Sequence, residues 1–369
     1  MQYQYTAEQT EFKDMLSRFV RDHYDYESRR VYLSSGQGFS KGYWQQLAEL
    51  GVLGLPFSEA LGGLDLPLAY QMAVAEEFGK GLVLEPFLPS VVMAGKLLAA
   101  SDNSEARDSL IPSLIAGESV LALAWEERDS RGAPGKVLTR AQREGDSVVL
   151  NGEKLAVLAA PNADALLVTA RDDSGDLNVY LVDTQSPGMT MTAFGSVDGQ
   201  PAANLRFEQL TLPASAALFK GDALPVLRQI LDESLVVMGA EAVGVMDQLL
   251  ATTVEYCKTR KQFGLPIASF QALQHRIADM VMACERTRSL LWAALQAVGH
   301  NHFGDSVAML KAELGRSGRY VGQQAVQLHG GIGMTEELNV GAYFKRLTAM
   351  EVLSGDRDYH LDRLAVGSD

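Results

Sequence analysis

The segment Tyr256-Cys257-Lys258-Thr259-Arg260-Lys261-Gln262-Phe263-Gly264-Leu265-Pro266-Ile267-Ala268-Ser269-Phe270-Gln271-Ala272-Leu273-Gln274 joins two long stretches of helical periodicity. Its loop carries a guanidinium, an amide and aromatic rings, followed by Gly264 and Pro266. Arg260 can fork onto phosphate oxygens. Phe263 can lie against a flat ring. Gly264 and Pro266 stop the helix and fix the bend. Those parts suit a phosphate beside a heterocycle. A plain inter-helix loop with a solvated arginine has the same spacing.

Outward from this loop the chain is helical on both sides. Leu227, Leu231, Leu235, Met238, Ala242, Val245 and Leu249 step by three and four, which makes one apolar stripe. Leu273, Ile277, Met280, Cys284, Leu291, Leu295 and Val298 make the next. Asp305 is placed to cap a third helix, and a fourth begins near Thr335. Four long helices with short links predict an antiparallel four-helix bundle over 221–369.

Residues 121–220 alternate with period two and predict a β-barrel or sandwich of hairpins. Asn151-Gly152 reads as a type I′ hairpin turn. Leu166–Thr169 and Asn178–Val182 flank a polar turn at 172–176. Leu205–Phe207 and Leu210–Leu212 read as further strands. Residues 1–120 read as helical, with Thr6 and Ser40 as N-caps. Glu76 and Glu77 are adjacent, so on a helix they diverge by about 100°. They suit a solvated or structural face better than a shared substrate atom. The expected fold class is α+β, in three domains.

The chain has 369 residues, 46 acidic against 32 basic, and a net charge of −14. A nucleic-acid binder needs a basic face, so that class is disfavoured. The start, Met1-Gln2-Tyr3-Gln4-Tyr5-Thr6, lacks the basic and apolar regions of a signal peptide. Leu235–Val254 is apolar but holds Glu241 and Asp247, which reads as a buried helix. Cys257 and Cys284 have no metal-ligand spacing and suit packing. The expected location is cytoplasmic.

Three signatures resemble the acyl-CoA dehydrogenase family. Arg260-Lys261-Gln262-Phe263-Gly264 with Phe270-Gln271 resembles its FAD-contacting loop. Gln327-Leu328-His329-Gly330-Gly331-Ile332-Gly333-Met334-Thr335 resembles a second signature, in the right order. Leu55-Pro56-Phe57-Ser58-Glu59 running to Gly62-Gly63-Leu64, then Glu76-Glu77, resembles a weaker third. The resemblance implies a helical, β, four-helix order. It implies that a carboxylate removes the α-proton of an acyl-CoA thioester while FAD takes the β-hydrogen as hydride. Electron-transfer flavoprotein is the implied acceptor. In such proteins the FAD spans subunits.

On this resemblance, Arg260 matches the pyrophosphate-binding arginine. Gln262, Phe263 and Gln271 match the adenosine side. Gln327, Gly330 and Gly331 match a backbone clamp at a helix end. A plain C-cap at Gly330-Gly331 is compatible with that. His329 suits a structural role there.

Two parts depart from the family pattern. The usual Thr-Glu-Pro-Gly turn is replaced by Ala122-Leu123-Ala124-Trp125-Glu126-Glu127-Arg128, and the usual Trp-Ile-Thr by Ala156-Val157-Leu158. The usual base glutamate falls at Ser354, and its alternative position at Ser234. Asp356 and Glu233 are the nearest carboxylates. The pattern is most similar to the small subunit of paired enzymes of the pimeloyl-CoA or sterol side-chain type. It implies an α2β2 assembly in which this chain completes the FAD site of a related chain. A self-sufficient homo-oligomer using Asp356, and a flavin-free scaffold, are the alternatives.

Overall fold

A computed structural model of the chain describes residues 4–36 and 38–366. The first three residues, on which the signal-peptide reading partly rests, lie outside them. So does the C-terminal end of the last expected domain, 367–369.

Helix α1 (Ala7–His23) starts where the sequence places it. The Thr6 side chain accepts from Gln9 N while Gln9 reaches back, a complete capping box. Helix α2 is Tyr26–Ser34, and α3 is Lys41–Glu49 with the Ser40 hydroxyl capping Tyr43 N. Then come α4 (Leu68–Gly81), a buried π-helical stretch Phe87–Gly95, α5 (Lys96–Ala99) and α6 (Ser104–Ile115).

Strands β1 (Leu121–Ala124), β2 (Arg140–Glu144), β3 (Ser147–Leu158), β4 (Ala165–Arg171), β5 (Leu177–Asp183), β6 (Met189–Gly195) and β7 (Pro201–Pro213) form one seven-stranded sheet. Its order is β1-β4-β2-β3-β7-β6, with β5 pairing β4. β1 runs parallel to β4, and β3 runs antiparallel to β2 and β7. Leu150, Val157, Leu166, Val168, Leu205, Phe207, Leu210 and Leu212 fill its core. Each such side chain contributes about 1.5–3 kcal/mol of burial.

Asn151-Gly152 is not the expected turn. β3 runs straight through it, with a bulge between Leu150 and Gly152. The chain reverses earlier, between Glu144 and Ser147, at Gly145-Asp146. Close approach is the reason for glycine at 152. A Cβ there would meet Thr139 Cα at 2.7 Å. Asn151 is also committed, accepting from Gln209 N at 2.9 Å. The two strand candidates at 205–212 are parts of the single strand β7. The polar turn at 172–176 does join β4 to β5.

Helix α7 runs from Leu224 to Thr259. A short hairpin follows, β8 (Lys261–Gln262) against β9 (Leu265–Pro266). Then come α8 (Gln271–Ala297), α9 (Phe303–His329), α10 (Val340–Val352) and α11 (Arg357–Val366). The third bundle helix therefore begins at Phe303, which puts Asp305 in its first turn and not at its cap. The fourth begins at Val340, because Gly330–Met334 winds as a 3₁₀ turn. By length and hydropathy α7 could cross a membrane, but 67% of its most apolar window is buried inside the protein.

The chain forms two units. One holds residues Met1–Arg30, Met72–Val83 and Leu235–Asp369; the other holds Val31–Gln71 and Leu84–Ser234. In the first unit, α4 and α7 touch backbone to backbone. A Cβ on Gly79 would lie 2.1 Å from Glu241 O, and one on Gly244 would lie 1.9 Å from Glu76 O. Glu76 and Glu77 are buried there and not solvated. Glu76 takes Lys13 at 2.5 Å and Tyr5 at 3.1 Å; Glu77 takes Lys80 at 2.7 Å. Arg288 approaches Glu76 at 3.8 Å and holds Asp247 at 2.7 Å. Glu241 and Arg346 form a buried two-pronged pair at 2.7 and 2.9 Å.

Candidate functional site

The loop after α7 is a tight two-residue hairpin. Phe263 and Gly264 occupy its turn with φ of 53° and 82°. Both central residues left-handed is the type I′ pattern, which glycine tolerates and phenylalanine resists. Lys261 pairs with Pro266 and Gln262 with Leu265. Below the ladder, Ile267 N donates to Arg260 O at 2.8 Å. The Phe263 ring stands 93% exposed. Its ring neighbour among the described residues is Phe270, edge-on at 6.3 Å. Strain plus an exposed apolar ring at one residue points to a binding position.

Arg260, Gln262, Gln271, Gln327, Gly330 and Gly331 are all exposed. Among the described residues the Arg260 guanidinium makes no hydrogen bond or ion pair, so its whole donor fork is available. Gln262 Nε2 turns back to Lys261 O at 2.8 Å. Gln271 is the first residue of α8 and Gln327 lies in the last turn of α9. Gly330 ends α9 with φ 65° and ψ −144°. A Cβ on Gly330 or Gly331 would meet nothing within 4 Å, so the backbone there faces open space.

Tyr256 joins these two motifs, which the sequence keeps 73 residues apart. Its hydroxyl donates to His329 O at 3.2 Å, and the two rings stack at 4.4 Å. Its carbonyl accepts from Arg260 N at 2.8 Å. Burial holds the His329 pKa below its ordinary value, against a hydrogen bond to Ala325 O. An exposed arginine fork and a glycine-edged backbone, on segments linked through Tyr256, fit a diphosphate-bearing cofactor of the FAD type.

The positions considered for a base look different. Ser234 is buried and donates to Leu231 O at 2.7 Å. Glu233 is ion-paired with Lys96 and accepts from Gln229 at 3.0 Å. Ser354 sits at φ 56° and Gly355 at φ 92° in a clamped turn. Lys311, 1% exposed, donates to Glu351 O at 2.9 Å and Gly355 O at 2.6 Å. The His360 ring nitrogen Nε2 lies 3.0 Å from Ser354 O. Asp356 is exposed and caps α11, accepting from Tyr359 N at 2.9 Å.

In the sheet unit, the replaced turn after β1 is organised by Glu127. Its carboxylate takes Leu138 N at 2.6 Å, Thr139 N at 3.1 Å and Thr139 Oγ1 at 2.7 Å. Lys154, fully buried, closes the group at 2.7 Å and reaches Thr169 Oγ1 at 2.8 Å. Burial lowers the Lys154 pKa to about 8, which Glu127 only partly offsets. Glu127 and Thr139 also line a cleft of about 490 Å³ with Arg128, Gly152 and Arg206. This pairing was missed from sequence, since nothing local links residues 27 apart.

The fold is helical, β, helical in chain order, with an exposed candidate cradle formed by the hairpin after α7 and the turn after α9. Comparisons name the family. "Acyl-CoA dehydrogenase, N-terminal domain" matches residues 6–118, "middle domain" 122–210 and "C-terminal domain" 223–368. The chain belongs to the acyl-CoA dehydrogenase family, whose members are FAD-dependent oxidoreductases acting on CH–CH bonds. It is 29% identical to "Probable acyl-CoA dehydrogenase YngJ" of Bacillus subtilis, covering 99% of this chain and 98% of that one. The solved ChsE4-ChsE5 complex of Mycobacterium tuberculosis is similar at TM-score 0.92 and 28% identity, over 99% and 98% of the two chains. A solved variant of the Tcur3481-Tcur3483 steroid ACAD is similar at TM-score 0.88 and 29% identity, over 97% of each chain.

Proposed function

We propose that this chain is the cradle-bearing subunit of a paired acyl-CoA dehydrogenase. In this reading Arg260, Gln262, Phe263, Gln271, Gln327, Gly330 and Gly331 hold the diphosphate and adenosine of an FAD seated on a related partner chain. The partner supplies the carboxylate that removes the α-proton. The substrate is an acyl-CoA thioester, electron-transfer flavoprotein is the acceptor, the assembly is α2β2, and the location is cytoplasmic.

One observation carries the reading. The cradle residues stand exposed, with the Arg260 fork unpaired among the described residues, while both usual base positions hold serines: Ser234 in a backbone hydrogen bond, and Ser354 two residues before Asp356, whose carboxylate is taken up in capping a helix. A serine hydroxyl without an adjacent base does not take an α-proton near neutral pH. Bound FAD would supply the acceptor for the β-hydrogen. Two of the similar structures, ChsE4-ChsE5 and Tcur3481-Tcur3483, are named as pairs of chains, which supports a heteromeric assembly.

Arg260 would orient the diphosphate by a two-pronged hydrogen bond, and Phe263 would cover an adenine or flavin edge. Gly330 and Gly331 would let the phosphate approach backbone without a Cβ in the way.

The test is a visible spectrum of the purified chain, with flavin stoichiometry and assembly mass. The expected result is little flavin in the chain alone, and about one FAD per pair on co-expression with a related chain. One tightly held FAD per chain in the homo-oligomer, bleached by an acyl-CoA, overturns the proposal and moves attention to Asp356.

A further inference from the structure

We infer that Tyr256 and His329 are the positioning residues of the cofactor cradle, setting the distance between the Arg260 hairpin and the Gly330-Gly331 turn. The inference rests on the proposed site and adds to it two residues that touch no ligand themselves.

The cradle needs such a device. Its two parts are exposed, and each is ordered only within itself: the hairpin by its own two-pair ladder and the glycine segment by its 3₁₀ turn. Tyr256 lies in the last turn of α7. Its carbonyl receives Arg260 N at 2.8 Å and the Thr259 hydroxyl at 3.1 Å, so its backbone fixes where the hairpin leaves the helix. Its phenol reaches across to His329 O at 3.2 Å, the carbonyl immediately before Gly330. The ring lies on the imidazole, 27° from parallel.

His329 is fixed in turn. Its Nδ1 lies 2.8 Å from Ala325 O, which only accepts, so Nδ1 carries the proton. Nε2 is then a bare acceptor, buried and without a hydrogen-bond partner among the described residues. The 3₁₀ turn folds back on the same side chain: a Cβ on Gly333 would sit 2.9 Å from His329 Cβ. One stacked pair therefore meets the hairpin at one end and the glycine turn at the other. Such preorganisation lowers the ordering cost of binding.

The ligand class this spacing serves is an adenosine diphosphate group. The probes are 5′-ADP, FAD and FMN, titrated into the full chain well below its melting temperature, with Tyr256→Phe and Tyr256→Leu beside the wild type. Tyr256→Phe keeps the stack and loses the hydroxyl; Tyr256→Leu loses both. Wild type should bind FAD and 5′-ADP and bind FMN more weakly. Tyr256→Phe should weaken 5′-ADP by about 3- to 10-fold, and Tyr256→Leu further. FMN binding should not change in either variant, which separates positioning from a general loss of structure. If wild type binds 5′-ADP and folded Tyr256→Phe binds it equally, the positioning role is overturned while the site stands. If wild type binds neither FAD nor 5′-ADP at millimolar concentration, the site itself is overturned. Should Tyr256→Leu fail to fold, Tyr256→Phe alone decides.

Discussion

Tyr256 donates its phenolic hydrogen to the carbonyl oxygen of His329, one residue before the glycine pair that edges the cradle. A helix end and a turn 73 residues away thus share one hydrogen bond and one ring stack. The consequence for Arg260, four residues past Tyr256, is that its guanidinium is unpaired among the described residues while its backbone is anchored.

Arg260→Ala should weaken FAD binding in the assembled enzyme by about 10- to 100-fold, the range of a charge-assisted two-pronged contact. Its effect on melting temperature should be near zero, because among the described residues the side chain has no partner to lose. Calorimetric titration with FAD alongside a thermal melt checks both halves. A large drop in melting temperature would mean that the arginine is structural.

Asp356→Asn should leave turnover of the paired enzyme close to wild type. Asparagine caps a helix about as well as aspartate, so α11 is kept. Asp356→Ala should cost about 1 kcal/mol of stability through the lost Tyr359 N contact. Steady-state rates with both variants decide the point. Loss of turnover in Asp356→Asn alone would make Asp356 the base.

His360 makes stability depend on pH. Burial, helped by the Lys311 charge, pushes its pKa down to about 4. The unfolded chain, near 6.5, therefore binds the proton more readily between those values. The contribution is fully present above pH 6.5 and is lost as pH falls toward 4, on the order of 3 kcal/mol in all. Urea midpoints at several pH values should fall across that window. His360→Gln should flatten the slope.

Arg346→Met should destabilise the bundle by about 3–5 kcal/mol, because Glu241 would remain buried without its cation. Arg346→Met with Glu241→Gln should recover much of that. Chemical denaturation of the three variants measures the coupling. Equal losses in the single and double variants would mean that packing, not charge, dominates the pair.

Much of the fold was legible because it follows from local periodicity. The apolar stripe from Leu227 to Leu249 has one helical solution, and Thr6 and Ser40 each cap the helix that the pattern places after them. Asn151-Gly152 misled because a residue pair permissive of unusual φ serves a bulge as well as a turn. The choice was made by close approach to Thr139 and pairing with β7, both non-local. Glu76 and Glu77 are buried because Lys13 and Arg288 arrive from distant helices. At the candidate cradle, residue chemistry alone left the Arg260 loop open between a phosphate site and a plain solvated loop, and the resemblance supplied the rest residue by residue. The Tyr256 and His329 stack was not legible, since neither residue carries a ligand-binding signature of its own.

The hairpin between β8 and β9 closes on its own ladder and holds its tip ring in water. That makes residue 263 a natural reporter position. An indole placed there by Phe263→Trp would start from a solvent-exposed emission, and anything that covers the tip, cofactor or neighbouring chain, would shift it to the blue. The assembly could then be followed in real time as a blue shift over the steady emission of the three native tryptophans.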